Sequence, residues 1–413
     1  MTPTAEFNHQ DTRSQLPGGW KWVKLGEAIV EAQHGFAIGE RDPEGVIQLR
    51  MNNVTTQGQF DWSSFIRVPA DSETIAAYRL QSGDVLFNNT NSTELVGKTA
   101  LFEGHAEPVV FSNHFTRIRT NAEKLDSRFL AFWLHQQWQR GVFANICNRW
   151  IGQSAVQRER LLSLEIRLPS LAEQKRIARI LQEQIAAVEQ ARRSAEAQLQ
   201  AAEQLPAAHL RAVFADSEDT RWPRTRLGEV ICQRQEIVHP HDKPKGRAIF
   251  VGLEHVESTT GRRVGSLDVE MSELTGRKPR FYKGDIVYGY LRPYLNKLWV
   301  AEFDGLCSVD QYVYEVNPMK ADTWFIASFM RSPIYLERAP VGITPGYLPR
   351  IRTEEVASVE LNLPSLADQR RIASQLSAQM ASAERLRQAL TDQLGTINKL
   401  PAALLRDAFS GKL

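Results

Sequence analysis

Cysteine is scarce in this sequence, since 413 residues contain only Cys147, Cys232 and Cys307. The three lie far apart, are odd in number and form no C-x-x-C pair. This pattern excludes a disulfide framework and a cysteine-based zinc site, and it is typical of a reducing compartment. The N-terminal residues lack an apolar signal core, and no apolar run approaches the roughly eighteen residues of a membrane span. We therefore expect a soluble, cytoplasmic protein.

An excess of charge of one sign is missing as well. The 50 Lys and Arg residues stand against 48 Asp and Glu, which gives a formal net charge of +2. Most nucleic-acid-binding proteins have a basic excess, so a nucleic-acid surface on this chain must depend on the local placement of cations. The length and the 42% of hydrophobic residues suffice for about two to four packed domains.

Motifs of catalysis and cofactor binding are also missing. The sequence lacks an H-E-x-x-H zinc motif, a G-x-S-x-G nucleophile turn, a G-x-G-x-x-G loop after a strand, and the Asn-Pro-Pro-aromatic loop of adenine methylases. VGKTA at 96–100 resembles the end of a phosphate-binding loop, but Ser92 stands where that loop requires glycine. Lys98 is then either an ordinary turn residue or a lysine that faces a phosphate backbone. We expect a non-catalytic chain without a metal or cofactor of its own.

The most informative feature that is present is an internal duplication. LPSLAEQKRIA at 168–178 returns as LPSLADQRRIA at 363–373, an offset of 363 − 168 = 195 residues. LPAAHLRAVFA at 205–215 returns as LPAALLRDAFS at 400–410 with the same offset. Two copies separated by long, unlike segments exclude a solenoid and indicate a duplicated two-part unit.

Both copies are predicted to be long helices. Each opens with Pro-Ser-Leu-Ala-acid, so Ser170 and Ser365 have the spacing of a capping box with the acid three residues later. The first helix is expected to run to Pro206. In the second, only Gly395 interrupts the helical pattern before Pro401, and that helix is expected to be less regular near its end.

The two helices carry matching apolar stripes with 3-4 spacing, which predicts that they pair as an antiparallel coiled coil. Arg192 and Arg387 occupy the same position in the two stripes. These arginines either extend past small alanines into solvent or fix the register at some cost in stability. The predicted seam residues are Leu181, Ile185, Val188, Arg192 and Leu199 in the first copy, and Leu376, Met380, Arg387, Leu390 and Leu394 in the second.

The segments that precede the two repeats are predicted to be β-rich, because short apolar or alternating runs are separated by Gly, Asn, Asp and Pro. A helix is predicted at 127–140 with Ser127 as its N-cap, and another at 324–339 until Pro333 disturbs it. Both segments share the order of their elements and a Gly-Asp turn, which indicates one fold carrying two different surfaces. The predicted strands lie at 46–54, 83–89, 99–104, 115–120, 248–256, 281–292, 297–303 and 311–316.

Turns in both segments contain side chains that suit the edges of DNA bases, since Arg pairs with guanine and Asn or Gln with adenine. For each residue the alternative is ordinary turn chemistry. We predict that one or two of these loops in each segment contact DNA. The candidates are Asn88, Asn89, Asn91, Lys98, Asn113, Asn148, Arg149 and Gln153 in the first segment, and Arg277, Lys278, Arg280, Tyr290, Arg292, Tyr294, Gln311 and Tyr347 in the second.

With these features the sequence resembles the specificity subunits of type I restriction-modification systems over essentially the whole chain. The resemblance rests on the repeated LPSLA-acid-Gln opening, the GDVLF and GDIVYGYLRPYLNK stretches, and the terminal AFSGKL. Asp368 in place of Glu and the helical Gly395 are small departures from the family pattern. Each fragment is short, and their order and repetition make the match specific.

The resemblance implies an α+β fold. Two β-rich target recognition domains would be joined by two long antiparallel α-helices forming a coiled coil, with pseudo-two-fold symmetry from the duplication. The implied boundaries are 1–168 and 217–363 for the target recognition domains, and 169–216 and 364–413 for the spacer helices. Each domain would bind one half of a split asymmetric DNA site, and the helices would set the spacer between the halves.

The same resemblance implies partners in phage defence: double-stranded DNA, two methyltransferase subunits and two motor-nuclease subunits. S-adenosylmethionine, ATP and Mg are expected on those subunits and not on this chain. The chain itself would direct adenine methylation or DNA cleavage without catalysing either. Two alternatives stay open, a coiled-coil scaffold without sequence-specific DNA binding and a self-contained enzyme.

Overall fold

The computed structural model describes residues 18–215, 222–340 and 348–413, and it divides the chain into two units. The first unit consists of residues 1–194 and 394–413, and the second of residues 195–393. Each unit combines a β-rich part with segments of long helix, which confirms the α+β fold. Within the described residues, none of the helices has both the length and the apolar character needed to cross a bilayer.

In the first unit short strands precede a long helix that continues into the second unit. The strands are β1 (Lys21–Lys24), β2 (Ile29–His34), β3 (Val46–Leu49), β4 (Ile66–Val68), β5 (Val85–Asn88), β6 (Thr90–Asn91), β7 (Thr99–Leu101), β8 (Val109–Phe111), β9 (Phe115–Thr120), β10 (Asn148–Trp150), β11 (Gln153–Ala155) and β12 (Glu165–Leu168). The helices are α1 (Ser72–Tyr78), α2 (Ser127–Gln139), α3 (Val142–Ile146), α4 (Arg158–Leu162) and α5 (Leu171–Phe214).

The second unit has a similar order of elements. Its strands are β13 (Arg224–Arg226), β14 (Ile231–Gln233), β15 (Ile237–Val238), β16 (Arg247–Val251), β17 (Leu267–Glu270), β18 (Lys278–Phe281), β19 (Ile286–Gly289), β20 (Leu298–Val300), β21 (Gly305–Cys307), β22 (Gln311–Val316) and β23 (Glu360–Asn362). The later helices are α6 (Thr323–Arg331), α7 (Pro333–Arg338), α8 (Thr353–Ser358), α9 (Leu366–Ile397) and α10 (Leu400–Phe409), of which α10 belongs to the first unit.

The two units share their sheet topology. A four-stranded antiparallel sheet has the order β2-β9-β5-β7 in the first unit and β14-β22-β19-β20 in the second. A second sheet in each contains one parallel pair, β3 with β8 and β16 with β21. A two-stranded ladder, β1 with β12 or β13 with β23, ends just before each long helix. The units differ in additional strands: β10 and β11 join β6 in the first, and β15 and β18 join the second sheet of the second.

Both faces of the four-stranded sheet are buried, which explains its apolar runs. In the first unit Val85 and Phe87 face the core that α2 covers, whereas Leu86 between them faces the second sheet. In the second unit, Ile286 and Val287 likewise belong to different cores. A strand buried on both faces has continuous hydrophobic sequence instead of alternation, as VLF and IVY have here.

The shared Gly-Asp turn precedes the central strand of each four-stranded sheet. Gly83 and Gly284 have φ angles of +96° and +92°, which side chains other than glycine rarely adopt. The aspartate that follows is buried in both units and accepts two kinds of hydrogen bond. Asp84 accepts from the Gln81 N–H and the Arg119 side chain, and Asp285 accepts from the Tyr282 N–H and the Arg234 side chain, all at 2.8 Å.

Gln174, in the first turn of α5, joins the long helix to the β-rich part of the first unit. Its side chain is 1% exposed. The Oε1 atom accepts from the Asp126 N–H at 2.9 Å, and Nε2 donates to the carbonyls of Lys124 at 3.0 Å and Pro169 at 3.1 Å. The loop that leads into α2 is thereby fixed to the start of α5.

Gln369 repeats this arrangement in the second unit, 195 residues later along the chain (174 to 369). It is fully buried. Its Oε1 accepts from the Asp322 N–H at 2.8 Å, and its Nε2 donates to the carbonyls of Lys320 at 3.2 Å and Pro364 at 2.9 Å. The glutamine of the duplicated LPSLA-acid-Gln stretch therefore has the same three backbone partners in both copies.

The N-cap predicted for α2 is wrong by one residue. Asp126, not Ser127, caps the helix, and its carboxylate accepts from the Phe129 N–H at 2.9 Å. The Ser127 hydroxyl instead pairs with the Thr120 hydroxyl at 2.8 Å. Asp and Ser are comparable caps, so composition alone did not separate the two neighbours.

The predicted disturbance at Pro333 is confirmed, since α6 ends at Arg331 and α7 begins at the proline. Ser332 lies between the two helices. Its hydroxyl accepts from the Tyr335 N–H at 3.1 Å, so it serves as the N-cap of α7.

The capping boxes of the long helices are half formed. The Ser170 hydroxyl accepts from the Glu173 N–H at 3.3 Å, while the Glu173 carboxylate pairs with Arg176 at 2.7 Å. In the second copy the Ser365 hydroxyl accepts from the Asp368 N–H at 3.2 Å and donates to the same carboxylate at 2.8 Å. The serines cap their helices as predicted, and the acids have other partners.

The ends of the long helices differ from the prediction. The first was expected to run to Pro206, but α5 continues through this proline to Phe214. The second copy does change near its end, since α9 ends at Ile397 and α10 holds Pro401 in its first turn, where a missing N–H costs little. The first copy has Gln200, a good helix former, where the second has Gly395. This difference explains why only the second copy breaks before its proline.

All of the predicted seam residues are buried or half-buried. In the second unit Leu210 and Phe214, at the end of α5, share a core with Ile372 and Leu376, at the start of α9. In the first unit α10 packs on α2, where the rings of Phe129 and Phe409 lie 5.0 Å apart. The seam arginines each form an ion pair along their own helix, Arg192 with Glu189 at 2.7 Å and Arg387 with Glu384 at 2.8 Å.

Removing the buried amide should loosen the loop that it holds. In Gln369→Ala the Asp322 N–H and two carbonyls lose their partner, which should cost about 1–3 kcal/mol. We expect faster hydrogen exchange in peptides covering 318–326, measured by mass spectrometry, with peptides covering 122–130 unchanged. Gln174→Ala should give the reverse pattern. Gln379→Ala, an exposed glutamine of the same helix, is the control. Equal exchange in Gln369→Ala and Gln379→Ala would contradict the role assigned to Gln369.

Candidate nucleic-acid interface

The buried asparagines at the end of β5 and just after it support a neighbouring turn. Asn88 Nδ2 donates to the carbonyls of His114 at 2.9 Å and Thr90 at 3.1 Å. The Asn88 Oδ1 atom accepts in turn from Asn91 Nδ2 at 2.6 Å. These side chains are buried within the unit, and they position the turn between β8 and β9.

Asn89 extends the same network toward β2. Its Nδ2 donates to the Asn113 carbonyl at 3.2 Å and to the Thr116 hydroxyl at 3.1 Å, and it lies 3.0 Å from Nδ1 of His34. Burial, and secondly the positive charge of Arg158, lower the pKa of His34. The imidazole is then neutral at neutral pH and adds no charge to this surface.

Among the candidates of the first unit, those with exposed side chains are Asn113, Arg149 and Gln153, while Asn148 is half-buried. Asn113 lies in the turn that the buried asparagines hold. The other three belong to the hairpin of β10 and β11, which pairs with β6 at Asn91. The structure therefore brings the two predicted loops of this unit onto one framework.

Lys98, of the VGKTA stretch, is buried and has partners within the unit. Its ammonium group donates to the carbonyls of Val54 and Met51, and burial lowers its pKa. In the second unit Lys297 occupies the matching position and donates to the Leu253 carbonyl at 2.7 Å. The main-chain carbonyls of the two lysines accept equivalent bonds at 2.8 Å, from the N–H groups of the last residues of β5 and β19. A contact of Lys98 with phosphate stays a prediction.

Two stacked tyrosines form the centre of the corresponding surface in the second unit. The rings of Tyr290 and Tyr312 lie 4.3 Å apart with an interplanar angle of 20°. Burial raises the pKa of both phenols, and the charges of Arg350 and Arg277 oppose this rise at Tyr290. Aromatic faces next to arginines can contact both bases and phosphates.

Arg292 follows Tyr290 by two residues and has a strained main chain. Its φ is +50°, in the left-handed region that arginine rarely adopts. The Arg292 N–H donates to the Pro349 carbonyl at 2.7 Å, and its own carbonyl accepts from the Leu295 N–H at 2.9 Å. The side chain is exposed, as is Tyr294 nearby in the sequence. Backbone strain maintained by its surroundings is common at binding sites.

Of the remaining candidates of the second unit, Arg277 is exposed, whereas the others are bound within the protein or lie outside the described residues. Buried Gln311 accepts from the Ser308 N–H at 3.0 Å. The Lys278 ammonium lies 5.3 Å from the centroid of the Phe250 ring, and Arg280 pairs with Glu236 at 2.9 Å. Tyr347 lies outside the described residues. DNA contacts at all of these stay predictions.

Each of the two surfaces is held by an equivalent set of backbone hydrogen bonds in its own unit. The N–H of Asn89 donates to the carbonyl of His114 at 3.0 Å, and the N–H of Tyr290 donates to that of Asp310 at 3.2 Å. The carbonyl of Asn89 accepts from Val156, and that of Tyr290 accepts from Ile351. Asn89 and Tyr290 are therefore equivalent positions with different side chains.

Arg350 is a functional candidate that the sequence analysis did not identify. Its position bridges to Leu291 just before the segment that leads into α8, as Ala155 pairs with Thr90 before α4. The 195-residue offset between Arg350 and Ala155 was the available signal. The two residues are unlike, and only the structure places this arginine beside the tyrosine stack.

Comparisons with known proteins agree with this arrangement. Residues 17–198 match the model of the type I restriction modification DNA specificity domain. The type I restriction enzyme EcoDI specificity subunit of Escherichia coli is 30% identical over 192 residues, which are 46% of this chain and 42% of that protein. A putative type I restriction enzyme MjaX specificity subunit of Methanocaldococcus jannaschii is 31% identical over 179 residues, 43% of this chain and 42% of that protein. The match thus spans less than half the length of these relatives.

Solved structures extend the likeness in fold along the chain. A chain from a type I R-M system has a TM-score of 0.72 and 21% identity, covering 97% of this chain and 100% of its own length. The HsdS subunit from Thermoanaerobacter tengcongensis has a TM-score of 0.64 and 21% identity, covering 97% and 99%. By sequence at 17–198 and by fold over its length, this chain is therefore similar to the specificity subunits of type I restriction-modification systems.

Proposed function

We propose that this chain is the DNA-recognition subunit of a type I restriction-modification complex. Its target recognition domains, residues 1–168 and 217–363, each bind one half of a split asymmetric DNA site. The observation that carries the proposal is the equivalent backbone frame at Asn89 and Tyr290, which in each domain holds turns with unlike exposed side chains. Two such surfaces suit two unlike half-sites, because base-edge contacts determine sequence while the frame positions them.

The proposed contacts are the exposed candidates. In the first domain these are Asn113, Arg149 and Gln153, and in the second they are Arg277, Arg292, Tyr294 and the newly found Arg350. Arginines in the major groove pair with guanine, and amides pair with adenine. Asn88 and Asn89 hold the turn that carries Asn113, and Arg277 and Arg350 lie near Tyr290 of the tyrosine stack.

The helical regions 169–216 and 364–413 set the spacer between the half-sites and dock two methyltransferase subunits. Adenine methylation, with S-adenosylmethionine, is assigned to those subunits, and ATP- and Mg-dependent cleavage to two motor-nuclease subunits. This chain directs both reactions and catalyses neither. Its relatives are specificity subunits of restriction enzymes, which supports this division of labour.

A coiled-coil scaffold without sequence-specific DNA binding is the alternative function. The long helices fit a scaffold equally well, but the paired polar loops on a common frame favour recognition. Gel-shift titration with random duplex and with the host's methylated sequence, using the chain with its methyltransferase subunits, separates the two. Equal affinity for both duplexes would favour the scaffold.

Arg292→Ala tests recognition in the second domain. Loss of a bidentate contact to guanine should cost about 1–3 kcal/mol and relax specificity at one position of one half-site. Methylation profiling of a host that expresses the complete system measures this, with the exposed helical Arg385→Ala as control. A weakening that is uniform over all sequences would mark a phosphate contact instead.

Lys98→Met separates a structural role from a phosphate contact. Loss of the bonds to the Val54 and Met51 carbonyls should destabilise the unit by about 1–3 kcal/mol in urea unfolding, and the salt dependence of DNA binding should stay unchanged. Lys297→Met should behave alike, and exposed Lys283→Met is the control. A salt slope lowered by about one would establish that Lys98 contacts a phosphate.

A matched heptad deletion tests the spacer. The boundary between the two units falls after Ser194 in α5 and after Gln393 in α9, so 194–200 and 389–395 are equivalent heptads at that boundary. Deleting both removes about 10 Å of helix and keeps the seam in phase. Methylation profiling should show a spacer shorter by about three base pairs. Duplicating the two heptads should lengthen the spacer by the same amount. An unchanged spacer in both variants would contradict the proposal that the helices set it.

A further inference from the structure

The hairpin of β10 and β11 ends in two adjacent apolar side chains that face solvent. Trp150 is 59% exposed, and Ile151 is fully exposed. Gly152 completes the turn with φ at +79°, a conformation that glycine supplies without strain. Neither apolar side chain belongs to the cores of the first unit. An exposed apolar tip of this kind indicates a contact surface.

The tip is presented on a fixed support. Ser154 pairs with Asn91 of β6, and its hydroxyl lies 2.8 Å from the hydroxyl of Thr93. Arg149 donates to the carbonyl of Ala144 at 3.0 Å, which ties the other strand to α3. A contact group that is already held in place loses little conformational entropy when it binds.

The stretch of chain that contains the tip is cationic, in contrast to the chain as a whole. Residues 140–160 include four arginines and a single acidic residue, a local charge of +4 − 1 = +3, and all five side chains are exposed. An apolar tip carried by a positively charged stretch of chain favours a polyanion over an ordinary protein surface. The charged residues are Arg140, Arg149, Arg158, Glu159 and Arg160.

We propose that Trp150 and Ile151 form an apolar wedge that inserts between base pairs at the half-site bound by the first domain. The inference rests on the proposed function, since it requires duplex DNA at this surface. Apolar side chains inserted at a base step unstack it and kink the duplex. The sequence-dependent cost of that deformation would add specificity at base pairs that no polar side chain touches.

The experiment uses the chain assembled with its methyltransferase subunits and a duplex whose site is known from methylation profiling. 2-Aminopurine, which fluoresces when unstacked, replaces each base of both half-sites in turn. Wild type should give a signal at the methylated adenine, which methyltransferases flip, and a second signal at a neighbouring step. Trp150→Ala and Ile151→Ser should abolish only the second signal and weaken specific binding about tenfold or more. Met319→Ala, an exposed apolar residue of the second unit, is the control and should change neither.

Three outcomes would overturn the wedge. If wild type binds its site but shows only the signal at the methylated adenine, no step is unstacked, and the proposed function stands without the wedge. If Trp150→Ala and Ile151→Ser fail to assemble with the methyltransferase subunits while remaining folded, the tip is a protein-docking surface. If wild type distinguishes no site from random duplex, the proposed function fails together with the wedge.

Discussion

The buried amides of Gln174 and Gln369 are the interaction on which both halves of this molecule depend. Each glutamine is part of a long helix, yet all three of its hydrogen bonds go to backbone groups outside or just before that helix. A buried amide that has all of these partners is strongly directional, because losing any one leaves a polar group unsatisfied. The geometry therefore fixes where each helix leaves its β-rich domain. The duplication is most complete in the stretch that contains this glutamine.

A second constraint lies in the β-rich frame. The central sheet is buried on both faces, its entry turn needs glycine followed by a buried aspartate, and a lysine at its far end binds backbone carbonyls in each unit. These groups are few and lie inside the frame. The turns at its edge can carry different side chains on equivalent backbone hydrogen bonds, as Asn89 and Tyr290 do. Loops on a rigid scaffold can change their chemistry without changing the fold.

The periodic features were predictable from the sequence, and the local partners were not. Strands and the break at Pro333 follow from repeating spacing or from the covalent geometry of proline. The N-cap at Asp126 and the continuation of α5 through Pro206 were not predictable, because the alternative local conformations differ little in free energy. The burial of Asn88 could not be predicted either, since an asparagine can hydrogen-bond a base edge or a buried carbonyl equally well. Arg350 was not predicted because Tyr290, which lies near it in the structure, is sixty residues away in the sequence.

The near-neutral charge of the chain does not oppose DNA binding once the arginines are placed. Arg119 and Arg234 are paired with the buried aspartates of the Gly-Asp turns, and Arg192 and Arg387 with glutamates on their own helices. Such pairs cancel charge where it serves the fold. The arginines that follow α2, by contrast, are exposed and outnumber nearby acids. Electrostatic attraction to a phosphate backbone acts over about a Debye length. The charge that a duplex meets is therefore that of the local surface, and the overall net charge is a poor measure of it.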